Sequence, residues 1–464
     1  MKLATPEGRW LVAASILGSG AVFLEGTVVN VALPAMVRDL HLGIAGLQWV
    51  VNAYLLTLSA LMLLGGALGD RTRRSRVFAL GALGFAAASG ACALAPNLAV
   101  LVVCRLLQGI AGALLIPNSL ALVESAFEGE ERGSAIGQWA AGSAVSTAIG
   151  PLAGGLLVDT LSWRWVFAAV VPFGLASAAI ALWRVPSEPS PREKVPLDWF
   201  GTVLITLALA GLIGGLTAGP DAGFGSALVI SALAGGAVFA AVFIVHEYRQ
   251  KHPVLPLDIF RNREFSGANA TTLLVYAALS ALLLLLMLQL QRVLGYSALE
   301  AGAALLPVNA IMLGASAPAG RLAGRIGARI PMTAGALIAA VGMALFARVL
   351  PGTSYVRATL PAVIVFGCGL ALFVAPLTSA VLGAVEQSQV GVASAVNNAV
   401  SRLGGLLATA VVPLAAGIAG GGALQPAVLS HGFVRGMWIS AGLCTAGAAV
   451  AWTTINGSPP RKTS

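Results

Sequence analysis

The sequence predicts an all-α membrane protein: fourteen transmembrane helices in two related six-helix bundles, with an extra helical pair between them. Three observations carry this reading. Of 464 residues, 58% are hydrophobic and only 10% charged, with a mean hydropathy of +0.89; a water-soluble domain is nearer one quarter charged. Apolar runs long enough to cross a bilayer recur along the whole chain. The stretch GALGDRTRR at 66–74 returns as GRLAGRIGA at 320–328, 254 residues later, each at the end of an apolar run.

A span needs about 20 mostly apolar residues. In the first half, such runs lie near 10–33, 47–69, 77–95, 98–122, 135–158 and 164–184. Two more, about 197–217 and 226–246, follow the Pro-rich, charged segment VPSEPSPREKVP at 185–196. After the basic segment HEYRQKHPVLPLDIFRNREF at 246–265, expected along the inner membrane surface, come 268–291, 300–320, 330–349, 357–382, 397–418 and 432–453. The expected organisation is therefore an N-terminal bundle at 1–184, a linker with two added helices at 185–265, and a C-terminal bundle at 266–464. A second, weaker repeat joins GALLIPNSLALV in the fourth run to LALFVAPLTSAVL in the twelfth. Repeat-built helical bundles of this kind are secondary transporters with the substrate site at mid-depth between the repeats.

Orientation follows from Lys and Arg in the short loops, which favour the cytoplasmic side. With the N-terminus inside, 20 of the 27 basic residues fall inside, 6 outside, and Arg105 within a span. Both termini are expected in the cytoplasm. This distribution accounts for the net charge of +9 without invoking nucleic acid. The first apolar run is too long for a cleavable signal and is expected to stay as a helix. The four cysteines and the four histidines (His41, His246, His252, His431) are scattered singly, which predicts no metal site, no cofactor and no catalytic centre. The abundant Gly and Ala suit close helix approach in lipid, though a biased genome explains them equally well.

Four stretches, in order, make a family resemblance specific. GALGDRTRRSR (66–76) resembles the loop motif of the major facilitator superfamily, and RLLQGIAGA (105–113) its fourth-helix motif. AIGPLAGG (148–155) resembles the fifth-helix motif of antiporters, and LEGTVVNVALP (24–34) the first-helix motif of the fourteen-helix drug:proton antiporter branch. The chain departs from these patterns at Arg73, at Ser146, at Gly324 in the second loop copy, and at Glu25, where the branch more often carries Asp. The resemblance implies the major facilitator fold in the plasma membrane (a bacterial inner membrane), a single-chain transporter, and small hydrophobic or cationic substrates exchanged for protons.

The candidate site residues follow from polar groups in apolar surroundings. Glu25 lies deep in the first span, where a carboxylate costs roughly 2.5–3.5 kcal/mol on insertion scales. Counting 1.5 Å per residue along the two helices puts Arg105 at nearly the same depth, so the two can face each other or be linked by water. The functional reading makes Glu25 and Arg105 the proton-coupling pair; the structural reading makes them a fixed ion pair between helices one and four. Asp70, Arg71, Arg74, Glu124 and Arg402 are candidates for a cytoplasmic latch, with Asp70 expected to meet Arg402 and Arg74 to meet Glu124. Gly150 and Pro151 admit a bend, and Gly154 and Gly155 permit close packing. Substrate-cavity candidates are Asn30, Asn52, Tyr54, Gln108, Asn118, Gln138, Trp139, Asn269, Tyr276, Asn309, Asn397 and Asn398. Each can instead make a helix–helix hydrogen bond, worth about 0.6 kcal/mol. Sparse aromatic residues and the lack of deep acids in the second half suggest a broad, weakly polar chamber for bulky amphiphiles. The expected activity is proton-coupled export of lipophilic drugs. A dedicated exporter of one endogenous lipid or secondary metabolite needs the same machine, and a membrane-embedded enzyme or sensor lacks any supporting constellation.

Overall fold

Each predicted span becomes a helix, and side-chain caps fix the N-termini of several. A computed structural model describes residues 2–185, 197–250, 253, 255, 257–386, 389–420 and 422–456. The Pro-rich linker expected at 185–196 therefore lies, from residue 186 on, outside the described residues. Fourteen helices among the described residues are long and apolar enough to cross a membrane. In the first half they are α1 (Pro6–Asp39), α2 (Ile44–Arg71), α3 (Arg74–Ala93), α4 (Leu98–Ala126), α5 (Glu131–Thr160) and α6 (Arg164–Trp183). Next come α7 (Trp199–Ala222) and α8 (Ala227–Arg249). The rest are α9 (Arg263–Val293), α10 (Ala298–Ile326), α11 (Arg329–Phe346), α12 (Tyr355–Gly383), α13 (Val392–Ala415) and α14 (Pro426–Thr454). Helix α1 starts early because Thr5 accepts a hydrogen bond from Gly8 N–H at 3.2 Å and Pro6 supplies the first helical φ. Asn97 caps α4 at its expected start, accepting from Val100 N–H at 3.0 Å. Strands are absent among the described residues.

Two compact units divide the chain, Met1–Leu255 and Pro256–Ser464, so the added pair α7–α8 belongs to the first unit. In that unit α1 packs on α5 and α6, α2 on α4, α3 on α4 and α6, and α7 on α8 and α2. The second unit repeats the six-helix pattern with an offset of eight: α9 packs on α13 and α14, α10 on α12, and α11 on α12 and α14. The same pairings recurring in the same order are what an internal duplication requires. Many large apolar side chains, Leu80, Val103, Leu107, Val238 and Leu313 among them, are exposed, as a lipid-facing surface demands. Trp10, Trp183, Trp199 and Trp452, at or near helix ends, are exposed too, in keeping with aromatic belts at the membrane interfaces.

Candidate functional site

Helix α4 is built to place a cation inside the first unit. Arg105 and Gln108 share one face at i and i+3, and the glycines that follow let this face approach α2 and α1. A Cβ on Gly109 would overlap the Thr57 hydroxyl and the Tyr54 carbonyl, and one on Gly112 would press on Leu58 at 3.3 Å. Thr57 Oγ1 donates to Leu106 O at 2.8 Å across the same seam. The fourth-helix stretch 105–113 is therefore two polar groups followed by the small residues that seat them.

Arg105 Nη1 donates to Glu25 Oε1 at 2.8 Å and to Gln108 Oε1 at 2.6 Å, and Nε donates to Val50 O at 2.9 Å. The guanidinium also lies 4.4 Å from the centre of the Tyr54 ring and 5.7 Å from that of Phe167, within cation–π reach. Gln108 Nε2 donates to Ser89 Oγ at 2.8 Å, and Ser89 Oγ to Phe85 O at 2.7 Å. The network thus joins α1, α2, α3, α4 and α6. Glu25 and Gln108 are 0% exposed and Arg105 is 2% exposed, so bulk solvent does not reach Glu25 in this conformation. Its second oxygen, Oε2, is buried and receives no hydrogen bond from the described residues. Such a pair is costly to desolvate and is held by its additional hydrogen bonds. Chemically it offers one exchangeable proton site beside a cation that stays charged.

The antiporter-type stretch of α5 packs beside this network. Pro151 has no N–H for the carbonyl of Thr147 four residues earlier; Thr27 Oγ1, on α1, lies 3.3 Å from that carbonyl, its one proton shared with the nearer Leu24 O at 3.0 Å. A Cβ on Gly150 would collide with the Thr27 hydroxyl, and one on Gly154 with Val28. Gly155 is buried in the same helix. The Gly-Pro segment therefore locks α5 onto α1 two residues from Glu25.

The other candidates separate into three groups. Asn118 Nδ2 donates to Gly65 O at 2.9 Å and to Leu114 O at 2.7 Å, tying α4 to α2. Trp139 Nε1 donates to Ser19 Oγ at 2.9 Å, tying α5 to α1. In the second unit, Asn397 Nδ2 donates to Asn269 Oδ1 at 3.1 Å and Thr272 Oγ1 at 2.8 Å, tying α13 to α9. Asn52 is buried, and Asn30, Tyr276 and Asn309 are half-buried. Gln138 and Asn398 are exposed, the latter donating to Ser394 O at 3.0 Å. At the end of α2, exposed Asp70 accepts from Arg74 Nη2 at 2.7 Å, and Arg74 Nη1 donates to Ala121 O at 3.4 Å. Arg71, Glu124 and Arg402 are half-buried.

One cluster was not legible as a cluster in the sequence. His246 Nε2 lies 2.9 Å from both carboxylate oxygens of Asp198, which is 48 residues away. Glu247, assigned by the sequence reading to a polar linker, is 2% exposed inside α8. The reading of four isolated histidines is corrected accordingly. Burial opposes ionisation of Asp198, but the Gly201 N–H and His246 outweigh it and hold the carboxyl below its ordinary range. The available signal was the pairing of two charge-bearing helix ends flanking one short-looped hairpin.

The sequence profile of the Major Facilitator Superfamily matches residues 15–409. The puromycin resistance protein pur8 of Streptomyces alboniger is 34% identical over 97% of this chain and 92% of its own length. The tetracenomycin C resistance and export protein of Streptomyces glaucescens is 34% identical over 86% of this chain and 74% of its own. Among solved structures, a bacterial homolog to the human lysosomal transporter Spinster superposes with a TM-score of 0.71 at 17% identity, covering 97% of each chain. That likeness speaks for the fold.

Proposed function

The chain belongs to the major facilitator superfamily, and from that membership we propose that it is a proton-coupled antiporter exporting lipophilic drugs or antibiotics by alternating access. It is a multi-pass plasma-membrane transporter and not an enzyme. The observation that carries the coupling proposal is the buried Glu25–Arg105 pair, 2.8 Å apart. Intramembrane ionisable groups are functional by default, and this one is a carboxylate whose second oxygen accepts no hydrogen bond from the described residues. The drug reading leans on relatives whose names are those of antibiotic resistance proteins.

A single titrating acid sets the energetics. One proton in for one monocation out moves no net charge, so only the pH difference drives exchange, at about 1.4 kcal/mol per unit. Exchange for a neutral molecule adds roughly 2.3 kcal/mol per 100 mV. Neutral and monocationic substrates are therefore favoured over dications. Proteoliposomes with an imposed pH gradient, loaded with ethidium, a fluoroquinolone or a neutral macrolide, test the proposal. Glu25→Gln should abolish gradient-driven transport while leaving downhill substrate exchange; unchanged gradient-driven transport rejects the assignment. A second reading, a dedicated exporter of one secondary metabolite, is favoured by relatives named for a single antibiotic. Transport of one compound alone in that panel would select it.

A further inference from the structure

The start of α7 and the end of α8 bring three metal-ligating side chains to one point. Asp198 caps α7, accepting from Gly201 N–H through Oδ1 at 2.8 Å. Its two oxygens are both 2.9 Å from His246 Nε2, and the edge-on Phe200 ring, 5.0 Å between centroids, packs against that imidazole. Glu247 is 2% exposed; its Oε2 accepts from Leu255 N–H at 2.7 Å. Its other oxygen, Oε1, is buried with no hydrogen-bond partner among the described residues. That oxygen is aimed into the cluster. A Cβ on Gly201 would lie 2.6 Å from Glu247 Oε1 and 2.5 Å from Asp198 Oδ2, so both oxygens converge over this glycine. One ligand atom from each of the three residues lies within 4.8 Å of the others.

Charge balance sharpens the point. With both carboxylates ionised, one imidazole leaves net negative charge even when it carries both protons, and burying uncompensated charge is strongly unfavourable. A divalent ion cancels both carboxylates while the histidine stays neutral, and it can take Glu247 Oε1, which accepts no hydrogen bond from the described residues. One imidazole nitrogen with two carboxylate oxygens is a donor set of the zinc type, with a position left for water. Tetrahedral donors 2.0–2.2 Å from zinc lie about 3.3–3.6 Å apart, so the 2.9 Å His246–Asp198 contact opens by a few tenths of an ångström and the three donor atoms, within 4.8 Å of one another, settle around the ion. We propose that Asp198, His246 and Glu247 form a divalent transition-metal site that ties the two ends of the α7–α8 hairpin together. With the ion on Oε1, Oε2 keeps Leu255, so the site also fixes the path of the chain leaving α8, at the last residue of the first unit.

The purified full-length protein, stripped with a chelator, is titrated with ZnCl2 and its metal content counted by mass spectrometry. One zinc per chain and a raised unfolding temperature are expected. His246→Ala and Glu247→Gln should each weaken zinc binding at least tenfold, while His431→Ala should not. Co2+ added to the wild-type chain should give a visible d–d absorption band that zinc displaces, a readout independent of any variant's folding. No stoichiometric zinc and no cobalt band would overturn the proposal. So would equal zinc affinity in the wild type and His246→Ala, which would place the ion elsewhere, or a wild-type unfolding temperature that responds to pH but not to zinc or chelator, which would leave the cluster holding only protons.

Discussion

Removing the guanidinium of Arg105 while keeping its bulk, as Arg105→Met does, should be more damaging than neutralising its partner. The substitution strands the Glu25 carboxylate at 0% exposure, and breaking one side of a buried pair costs about 3–5 kcal/mol. It also takes the donor from Val50 O and from Gln108 Oε1. Glu25→Gln is milder. The amide oxygen still accepts from Nη1, and the guanidinium keeps two carbonyl-type acceptors and the Tyr54 face. The loss is then the difference between a charge-assisted and a neutral hydrogen bond, about 1–2 kcal/mol. In the double variant no carboxylate is stranded, so it should be no less stable than Arg105→Met alone, a coupling of about 1–2 kcal/mol or more. Unfolding of the purified proteins in detergent, followed by tryptophan fluorescence across a denaturant series, reads all four corners of the cycle. Additivity within about 0.5 kcal/mol would mean that the 2.8 Å contact carries no energetic coupling, and the reasoning from burial to function would fail with it.

Gly150→Ala should drive its methyl into the Thr27 hydroxyl and destabilise the chain by about 1–3 kcal/mol, the usual range for overpacking. Thr27→Ala in the same chain should recover part of that loss, and a double variant as unstable as Gly150→Ala in the unfolding assay would contradict the close approach of α1 and α5. Asp70→Asn, which dissolves the exposed pair with Arg74, should lower maximal transport rate more than substrate affinity if the cytoplasmic latch operates; equal losses in both, measured in proteoliposomes, would defeat it.

The fourteen spans were legible because a bilayer imposes one length and one composition on every crossing helix, and a hydropathy window reads both. Arg105 and Glu25 were legible as a pair for the same reason: rise per residue converts sequence position to depth. Rotation about the helix axis was not legible. Gln138 and Trp139 are neighbours with the same claim to polarity, yet Gln138 is exposed while Trp139 donates to Ser19 across the α1–α5 seam. Only packing decides which side of a helix faces its neighbour. Glu247 escaped because its charge ended the apolar window at residue 246, although α8 continues to Arg249 and buries it. His246 escaped because its partner lies 48 residues away, a distance that only the hairpin of α7 and α8 closes. The grouping of that hairpin with the first unit follows from α7 packing on α2, a contact that no local pattern announces.

The two units share their helix pairing but not their chemistry, and the difference bears on where energy enters. The α9–α13 seam is closed by amides and a hydroxyl, Asn397 with Asn269 and Thr272, groups that hold no exchangeable charge. Residues 266–464 contain only two acids, Glu300 and Glu386. The first unit instead holds a carboxylate–guanidinium pair away from water. Under the proposed coupling, a proton arriving at Glu25 turns a charge-assisted contact into a neutral one, a loss of about 1–2 kcal/mol, as for Glu25→Gln. One pH unit with 100 mV supplies about 3.7 kcal/mol per proton, summing roughly 1.4 and 2.3. The supply exceeds that loss, so the gradient can open the pair. A much weaker pair would exchange its proton without a conformational step, and a much stronger one would never release Arg105. A buried pair reinforced by Gln108, Val50 and Tyr54, but with one carboxylate oxygen that accepts no hydrogen bond from the described residues, lies between these limits.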